Sequence, residues 1–456
     1  MRADERPLRR VDVAVVGAGL AGLAAARALV AAGAEPLVLE ARDRVGGRTL
    51  TQTTPEGVAL DLGAHWVGPT QRRMLALGEA LGVATSKTWD TGLNIQIRGG
   101  ARQTYSGAIP TADPLVAAEA VQAILTLNML AMQVPLDAPW RAPEAAAWDA
   151  QTCATWIEAN VEPGARPLME LAIQAVFSVE PRDLSLLHVL FYIHSAGGLR
   201  DLLGVTGAAQ ESRFVGGSQQ IAERMARELG ERVILGAPVT GVAWSADGVR
   251  VMSDAGVVEA RQAIIAIAPT LGGRIRYAPG LPSHRDQLTQ RMPMGTVIKV
   301  LCVYPDAFWR RDGLTGQVSS DAGAIRITFD ISPDGGAPGV LVGFIEGDEG
   351  RRWGRVSAEE RRAAALASLR AYFGDQAAMP LRYVEQAWAE EEWTRGCYAG
   401  YMPPGVWTTY GEALRAPIGP LHWAGTETAT EWMGYMEGAV QSGERAAAEA
   451  LAALGR

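Results

Sequence analysis

Apolar and polar positions alternate along this chain in runs that predict distinct elements. Val11, Val13, Val15 and Val16 form a short β-branched run, the pattern of a strand buried on both faces of a parallel sheet. Leu20 to Ala32 is rich in Ala and Leu and free of proline, which predicts a helix stopped at Gly33. Pro36 to Glu40 reads as a second strand that ends in an acid, and Ala263 to Ala268 repeats the buried-strand pattern. Arg232 to Ser253 reads as strands with Asp247-Gly248 as a hairpin turn. A helix is expected from Gln71 to Leu81. Another runs from Ala358 to Tyr372, opened by Ser357 and Glu360 at capping-box spacing. The most apolar window, Val116 to Val134, is interrupted by Glu119, Gln122, Asn128 and Gln133, and is expected to be a buried helix rather than a membrane span. Trp140, Trp148 and Trp156 are expected on further helices.

From Gly295 to Val303 side chains alternate across a strand. Val297, Lys299, Leu301 and Val303 share one face, and Thr296, Ile298, Val300 and Cys302 the other. Lys299 is the only charge in that run. Burying an unpaired ammonium is costly, so Lys299 either reaches out at an edge or is kept for a purpose.

Between the first strand and the first helix lies Gly17-Ala18-Gly19-Leu20-Ala21-Gly22. Gly17 permits the tight turn, Gly19 lets backbone approach a pyrophosphate, and Gly22 lets the helix pack closely on the strand. The helix N-terminus then points its partly positive end at the phosphates. Glu40, 23 residues after Gly17, stands where a carboxylate accepts hydrogen bonds from ribose hydroxyls. Strand, glycines, helix, strand and acid in that order point to dinucleotide binding.

Composition narrows the class further. The chain has 456 residues, 48% of them hydrophobic, enough for a large core in two domains. Forty-two Lys and Arg against 50 Asp and Glu give a net charge of −8. That balance argues against nucleic acid as a partner, since nucleic-acid binding needs clustered positive charge. Cys153, Cys302 and Cys397 are far apart and there are five histidines. Neither a disulfide framework nor a structural metal site is expected, and a reducing cytoplasm fits. The N-terminal stretch has no apolar core of a signal peptide, so a soluble protein without membrane attachment is expected.

The run Glu40-Ala41-Arg42-Asp43-Arg44-Val45-Gly46-Gly47-Arg48 after a dinucleotide motif resembles the flavoprotein amine oxidase family, which uses FAD. Further segments share the resemblance: Asp61 to Thr70, Glu211 to Ser218, Gly396-Cys397-Tyr398, Gly425-Thr426-Glu427 and Gly434 to Val440. It covers nearly the whole chain. The implied fold is α/β and α+β, with a Rossmann-like FAD-binding domain (1–87, 210–290 and 385–456) interrupted by a mixed sheet-plus-helices substrate domain (88–209 and 291–384). By resemblance, Glu40 holds the ribose, while Arg42, Gly47 and Arg48 sit near the ADP part. Gly63, Ala64 and Trp66 form a second flavin-contacting segment, and backbone at Val239 lies against the adenine. Gly425, Thr426, Glu427, Tyr435 and Met436 close the cofactor site, where the last helix N-terminus favours negative charge on a reduced flavin. Lys299 matches a family lysine that holds a water beside flavin N5. Tyr398 and Tyr435 match a pair of rings guiding the amine, and Leu203 and Gln210 match cavity-lining residues. Cys397 matches a cysteine bonded to the flavin 8α carbon in mitochondrial-type members. Arg395, however, stands where that subgroup has glycine, and a thioether and a small buried thiol both stay open.

The resemblance implies FAD-dependent oxidation of a primary monoamine by dioxygen, giving aldehyde or ketone, ammonia and hydrogen peroxide. The reactive amine is the neutral form, so activity is expected to rise with pH through the bound substrate's pKa. An amino-acid oxidase would need an arginine aimed at the substrate carboxylate, and a polyamine oxidase acids along the entrance. These remain alternatives, as does a dehydrogenase or desaturase passing electrons to a partner. A homodimer is possible.

Overall fold

A computed structural model describes residues 9–111 and 113–456. Most of the charged N-terminal stretch read above, residues 1–8, lies outside them.

The predicted strand–glycine–helix–strand unit forms as strand Arg9–Val16, helix Leu20–Ala31 and strand Pro36–Leu39. Arg9–Val16 lies at the centre of an eight-stranded sheet. It runs parallel to Pro36–Leu39 on one side and to Gly256–Ile265 on the other. Gly256–Ile265 is long enough to serve two further partners on its other edge. Its first half pairs antiparallel with Gly248–Ser253, and its last three residues pair parallel with Leu421–Trp423. The hairpin at Asp247-Gly248 joins Val239–Ser245 to Gly248–Ser253 as expected. Segments from both ends of the chain and from its middle therefore complete one sheet. Helices Leu20–Ala31 and Met436–Ala453 pack on one face, with Val13, Val15, Leu23, Ile264 and Ala446 in their shared core.

The second sheet has seven strands in the order Arg382–Ala387, Val297–Tyr304, Gly339–Glu346, Ile327–Asp330, Leu314–Ser320, Leu93–Arg98, Ala101–Tyr105. All eight residues of Val297–Tyr304 are buried. Its two faces enter different cores, as the alternation predicts. Val297, Leu301 and Val303 pack with Leu60, Leu62 and Trp388, whereas Ile298, Val300 and Cys302 pack under Leu369 and Tyr372 of helix Ala358–Phe373. That helix carries the expected capping box at Ser357 and Glu360. Lys299 is thus turned inward, towards the segments that precede helix Arg72–Ala80. A group of short helices, centred on the largely apolar and buried Leu186–Ala196, covers the remaining side.

Two expectations need correction. Helix Pro114–Ala131 forms, but it is not a buried helix. Only 28% of it is buried, and Leu115, Val121, Leu125, Met129 and Met132 face outward. Val116, Ala120, Ala123, Leu127 and Ala131 make the inward stripe, because a small-residue face fits closest against Leu186–Ala196. It is long and apolar enough to cross a membrane by length and composition, with a mean hydropathy of 1.5. Trp140 lies in a short 3-10 turn, Pro139–Arg141, rather than an α-helix.

Candidate active site

The glycine turn is shaped by what a side chain would strike. Gly17 has φ +100°, and a Cβ there would stand 2.9 Å from the Ala266 carbonyl oxygen. A Cβ on Gly22 would come within 1.9 Å of the Gly17 carbonyl oxygen, so the helix can sit this close to the strand only with glycine there. Gly19 and Gly47 face each other as bare backbone, a Cβ on Gly47 lying 3.4 Å from the Gly19 Cα. Beside them Glu40 is buried. Its Oε2 accepts the Ala18 N–H at 2.7 Å and its Oε1 the Arg42 N–H at 3.1 Å.

From this turn a continuous cavity of about 350 Å3 runs between the two sheets, past Gly63, Ala64 and Trp66 to Cys397, Tyr398 and Tyr435. Of the residues singled out from sequence, Gly17, Gly19, Glu40, Arg42, Gly47, Arg48, Gly63, Ala64, Trp66, Leu203, Gln210, Lys299, Cys397, Tyr398, Gly425, Thr426, Tyr435 and Met436 all line it. Gly22, Val239 and Glu427 do not. Gly22 and Glu427 act one layer back, and Val239 opens a strand on the far side of the sheet, against Ala237 and Val242.

Glu427 is fully buried and pairs with Arg48 in a two-point contact of 2.6 and 3.0 Å. Arg48 also donates to the Tyr398 carbonyl at 3.0 Å, and the Gly400 N–H donates to Glu427. Burial works against both charges, but the pair outweighs it, holding Arg48 above and Glu427 below their ordinary values. Arg42 is bound just as firmly, to Glu391 and Thr394. Both arginines therefore stitch the cavity wall, which leaves mainly backbone N–H groups to meet a pyrophosphate. The N-terminus of helix Met436–Ala453 also opens on the cavity, with no side chain capping it. Its first-turn amides are placed for an anionic group.

At the far end Lys299 is 3% exposed and donates to the Gly63 carbonyl at 2.8 Å. Burial lowers its pKa to about 8, although Asp61 and Cys397 act in the other direction. Nearby His65 approaches Asp61 at 3.2 Å without hydrogen-bond geometry, and burial beside Lys299 lowers it to about 4, so it is neutral. Tyr435 packs edge-on to Trp432 at 4.8 Å and near Tyr192 at 6.1 Å. Tyr398 packs edge-on to Phe344 at 6.3 Å. Its hydroxyl donates to Glu346, a buried carboxyl that sequence reading passed over. Burial pushes Glu346 up to about 8. The rule that singled out Lys299 would have found it, since Glu346 is the lone charge at the end of the apolar strand Gly339–Glu346. Tyr192, Phe344 and His65, also missed, line the cavity too but carry no local motif.

Much of the remaining wall is apolar, with Leu168, Leu171, Ala172, Val176, Leu203 and Phe329, while Gln317, Ser319 and Thr328 add polar groups. Gln210 presents an unpartnered Oε1 there, its amide donating to the Leu202 carbonyl. A bare-backbone turn with a buried carboxylate at ribose spacing, continuous with a cavity that holds one lysine between aromatic rings, fits a flavin-dependent oxidoreductase acting on a small molecule. The family described as "Flavin containing amine oxidoreductase" matches residues 20–451, and the chain belongs to it. A Mycobacterium tuberculosis protein named as a flavin-containing monoamine oxidase, AofH, is 44% identical over 99% of both chains. Among solved structures, putrescine oxidase bound to putrescine superposes with a TM-score of 0.94 at 37% identity, covering 97% of this chain and 99% of that one. Cyclohexylamine oxidase from Brevibacterium oxydans does so at 0.94 and 35% identity, covering 98% and 100%. FAD is thus the cofactor, and the protein is an amine oxidoreductase.

Proposed function

We propose that this enzyme oxidatively deaminates a primary monoamine with an apolar body, giving an aldehyde or ketone, ammonia and hydrogen peroxide. The observation that carries this reading is the apolar wall opposite Tyr398 and Tyr435, built by Leu168, Leu171, Ala172, Val176 and Leu203. Bound FAD supplies the acceptor for the two electrons lost from the substrate α carbon and hands them to dioxygen. The chain's own residues orient and desolvate. Tyr398 and Tyr435 flank the amine, Gln210 Oε1 offers an acceptor further out, and Lys299 holds a water and a positive charge beside the ring. The two arginines of the lining are engaged by Glu391 and Glu427, so neither is available for a substrate carboxylate. That disfavours an amino acid as substrate. Cys397 lines the cavity as a neutral buried thiol, and it is proposed as the site of a thioether to the flavin. Three free buried cysteines are compatible with a reducing compartment.

The test is an anaerobic titration of the purified yellow protein with a panel of amines that includes aliphatic and aromatic monoamines, putrescine and amino acids. Bleaching by an apolar monoamine, with colour and peroxide restored by air, is the expected result. Bleaching only by putrescine or by amino acids overturns the substrate class, and slow reoxidation in air favours a dehydrogenase.

A further inference from the structure

Glu346 sits in a place where a carboxyl has no evident structural task. It is 7% exposed, lines the cavity beside Tyr398, and is the only acid lining the end away from Glu40. Its Oε1 receives both nearby hydroxyls, Tyr398 and, at 3.5 Å, Ser178, while Oε2 has no protein partner. Tyr398 comes from the loop before Gly400, and Ser178 and Glu180 follow helix Arg166–Phe177. Gln174, on that helix, donates to Glu180 at 2.7 Å and to the Glu346 carbonyl at 3.4 Å, and Arg326 donates to the Gln174 amide oxygen at 3.5 Å and pairs with Glu349. Across the sheet Glu346 pairs with Val297, two residues before Lys299. Asp348, on the helix that follows, is bound to Arg182. Among the described residues the one charge that acts on Glu346 is the like-charged Glu180, and no cation offsets it.

A buried carboxyl left without a cation, lining the cavity beside Tyr398, is matched to a cation that arrives with the substrate. An alkylamine in neutral water is an ammonium, and the oxidation needs the neutral amine. We propose that Glu346 takes the proton from the incoming ammonium inside the cavity, with the Tyr398 hydroxyl holding the carboxyl in place. One N–H bond breaks, one O–H bond forms, and alkylammonium plus carboxylate becomes amine plus carboxylic acid. No other reactant is needed. The dry surroundings drive the transfer, because desolvation raises the affinity of a carboxylate for a proton and lowers that of an amine. Two charges that would be costly together in an apolar cavity are replaced by two neutral groups.

This inference rests on amine oxidation as the reaction, and its test separates the two. kcat/KM is measured with the best amine of the panel from pH 6 to 11, in wild type and in Glu346→Gln, which keeps an acceptor for Tyr398. The competent pair in wild type is carboxylate plus ammonium. Its kcat/KM should rise to the Glu346 value near 8 and stay level above it, because beyond the ammonium value of about 10 amine that is already neutral can be used as well. The variant can use only amine already neutral in solution, so its kcat/KM should climb about 50-fold between pH 8 and 10 and level off above. At pH 10 it should come within about tenfold of wild type. A wild-type profile that keeps climbing about tenfold per pH unit from 8 up to the amine's own pKa, with no plateau, overturns the proposal, and this arm needs no variant to fold. Parallel profiles, or a variant equally depressed at every pH, overturn it too, the last by showing a structural role. If no amine bleaches the wild type at any pH, amine oxidation itself fails and the proposal with it.

Discussion

Arg48 and Glu427 show how a single pair can hold a wall. Removing one partner of a buried ion pair leaves the other charge stranded, at a cost of about 3–5 kcal/mol. Arg48→Met is therefore expected to lower the melting temperature clearly and to reduce bound flavin, read by thermal denaturation and the visible absorbance of the purified protein. The pH dependence follows from the sign. Glu427 is held below its ordinary value in the folded state, so its contribution is present above the unfolded carboxyl value and is lost as pH falls through the folded one. Without Arg48, burial dominates and raises that carboxyl, so the variant's deficit in melting temperature should be largest near neutral pH and shrink as pH falls and the stranded charge is protonated. Lys299 behaves in the opposite sense. Its charge is present below about 8, so the rate of flavin reoxidation in stopped flow should fall as pH rises through that value. Lys299→Met should slow the reaction by about 10²-fold or more, the loss typical of one preorganised electrostatic group. Such residues were legible where a charge interrupts an apolar strand. Lys299 was read that way, and Glu346 was equally readable. His65, Tyr192 and Phe344 were not, because only the folded chain sets an ordinary residue against a cavity.

Among the elements, local signals carried well. The glycine turn, its flanking strands, the hairpin at Asp247-Gly248 and the capping box at Ser357 each depend on neighbours in sequence, and each formed as read. Helix Pro114–Ala131 misled because hydrophobicity does not say which face packs. Its alanines turned inward against Leu186–Ala196, and its larger residues faced out. Close helix packing also sets a prediction. A Cβ on Gly443 would stand 2.1 Å from the Ala21 carbonyl oxygen, where helix Met436–Ala453 meets helix Leu20–Ala31. Gly443→Ala must push the two helices apart and is expected to cost about 1–3 kcal/mol. Because both helices begin at the cavity, flavin content should fall along with the melting temperature.

At the scale of the molecule, cofactor and fold are one equilibrium. If Cys397 carries the proposed thioether, acid precipitation leaves the flavin with the wild-type pellet and releases it from Cys397→Ala. In that variant the flavin becomes exchangeable. Its stability should then rise with added FAD, by about 2.7 kcal/mol at a hundred times the dissociation constant, measurable as a melting temperature that climbs with FAD concentration. The order of strands in the two sheets was the least legible part of the sequence. Pairings such as Gly256–Ile265 with Leu421–Trp423 join segments whose matching is decided only by the assembled core.

The Arg48–Glu427 contact spans 379 residues of sequence, and the last helix bordering the cavity ends at Ala453. Nearly the whole polypeptide must leave the ribosome before that wall can close. The amino-terminal glycine turn, although made first, therefore has to wait in an unfinished state, and flavin loading becomes an event after translation. A chain cut short before Glu427 would be without the carboxylate that anchors Arg48, and so should emerge colourless however well its first strands have folded.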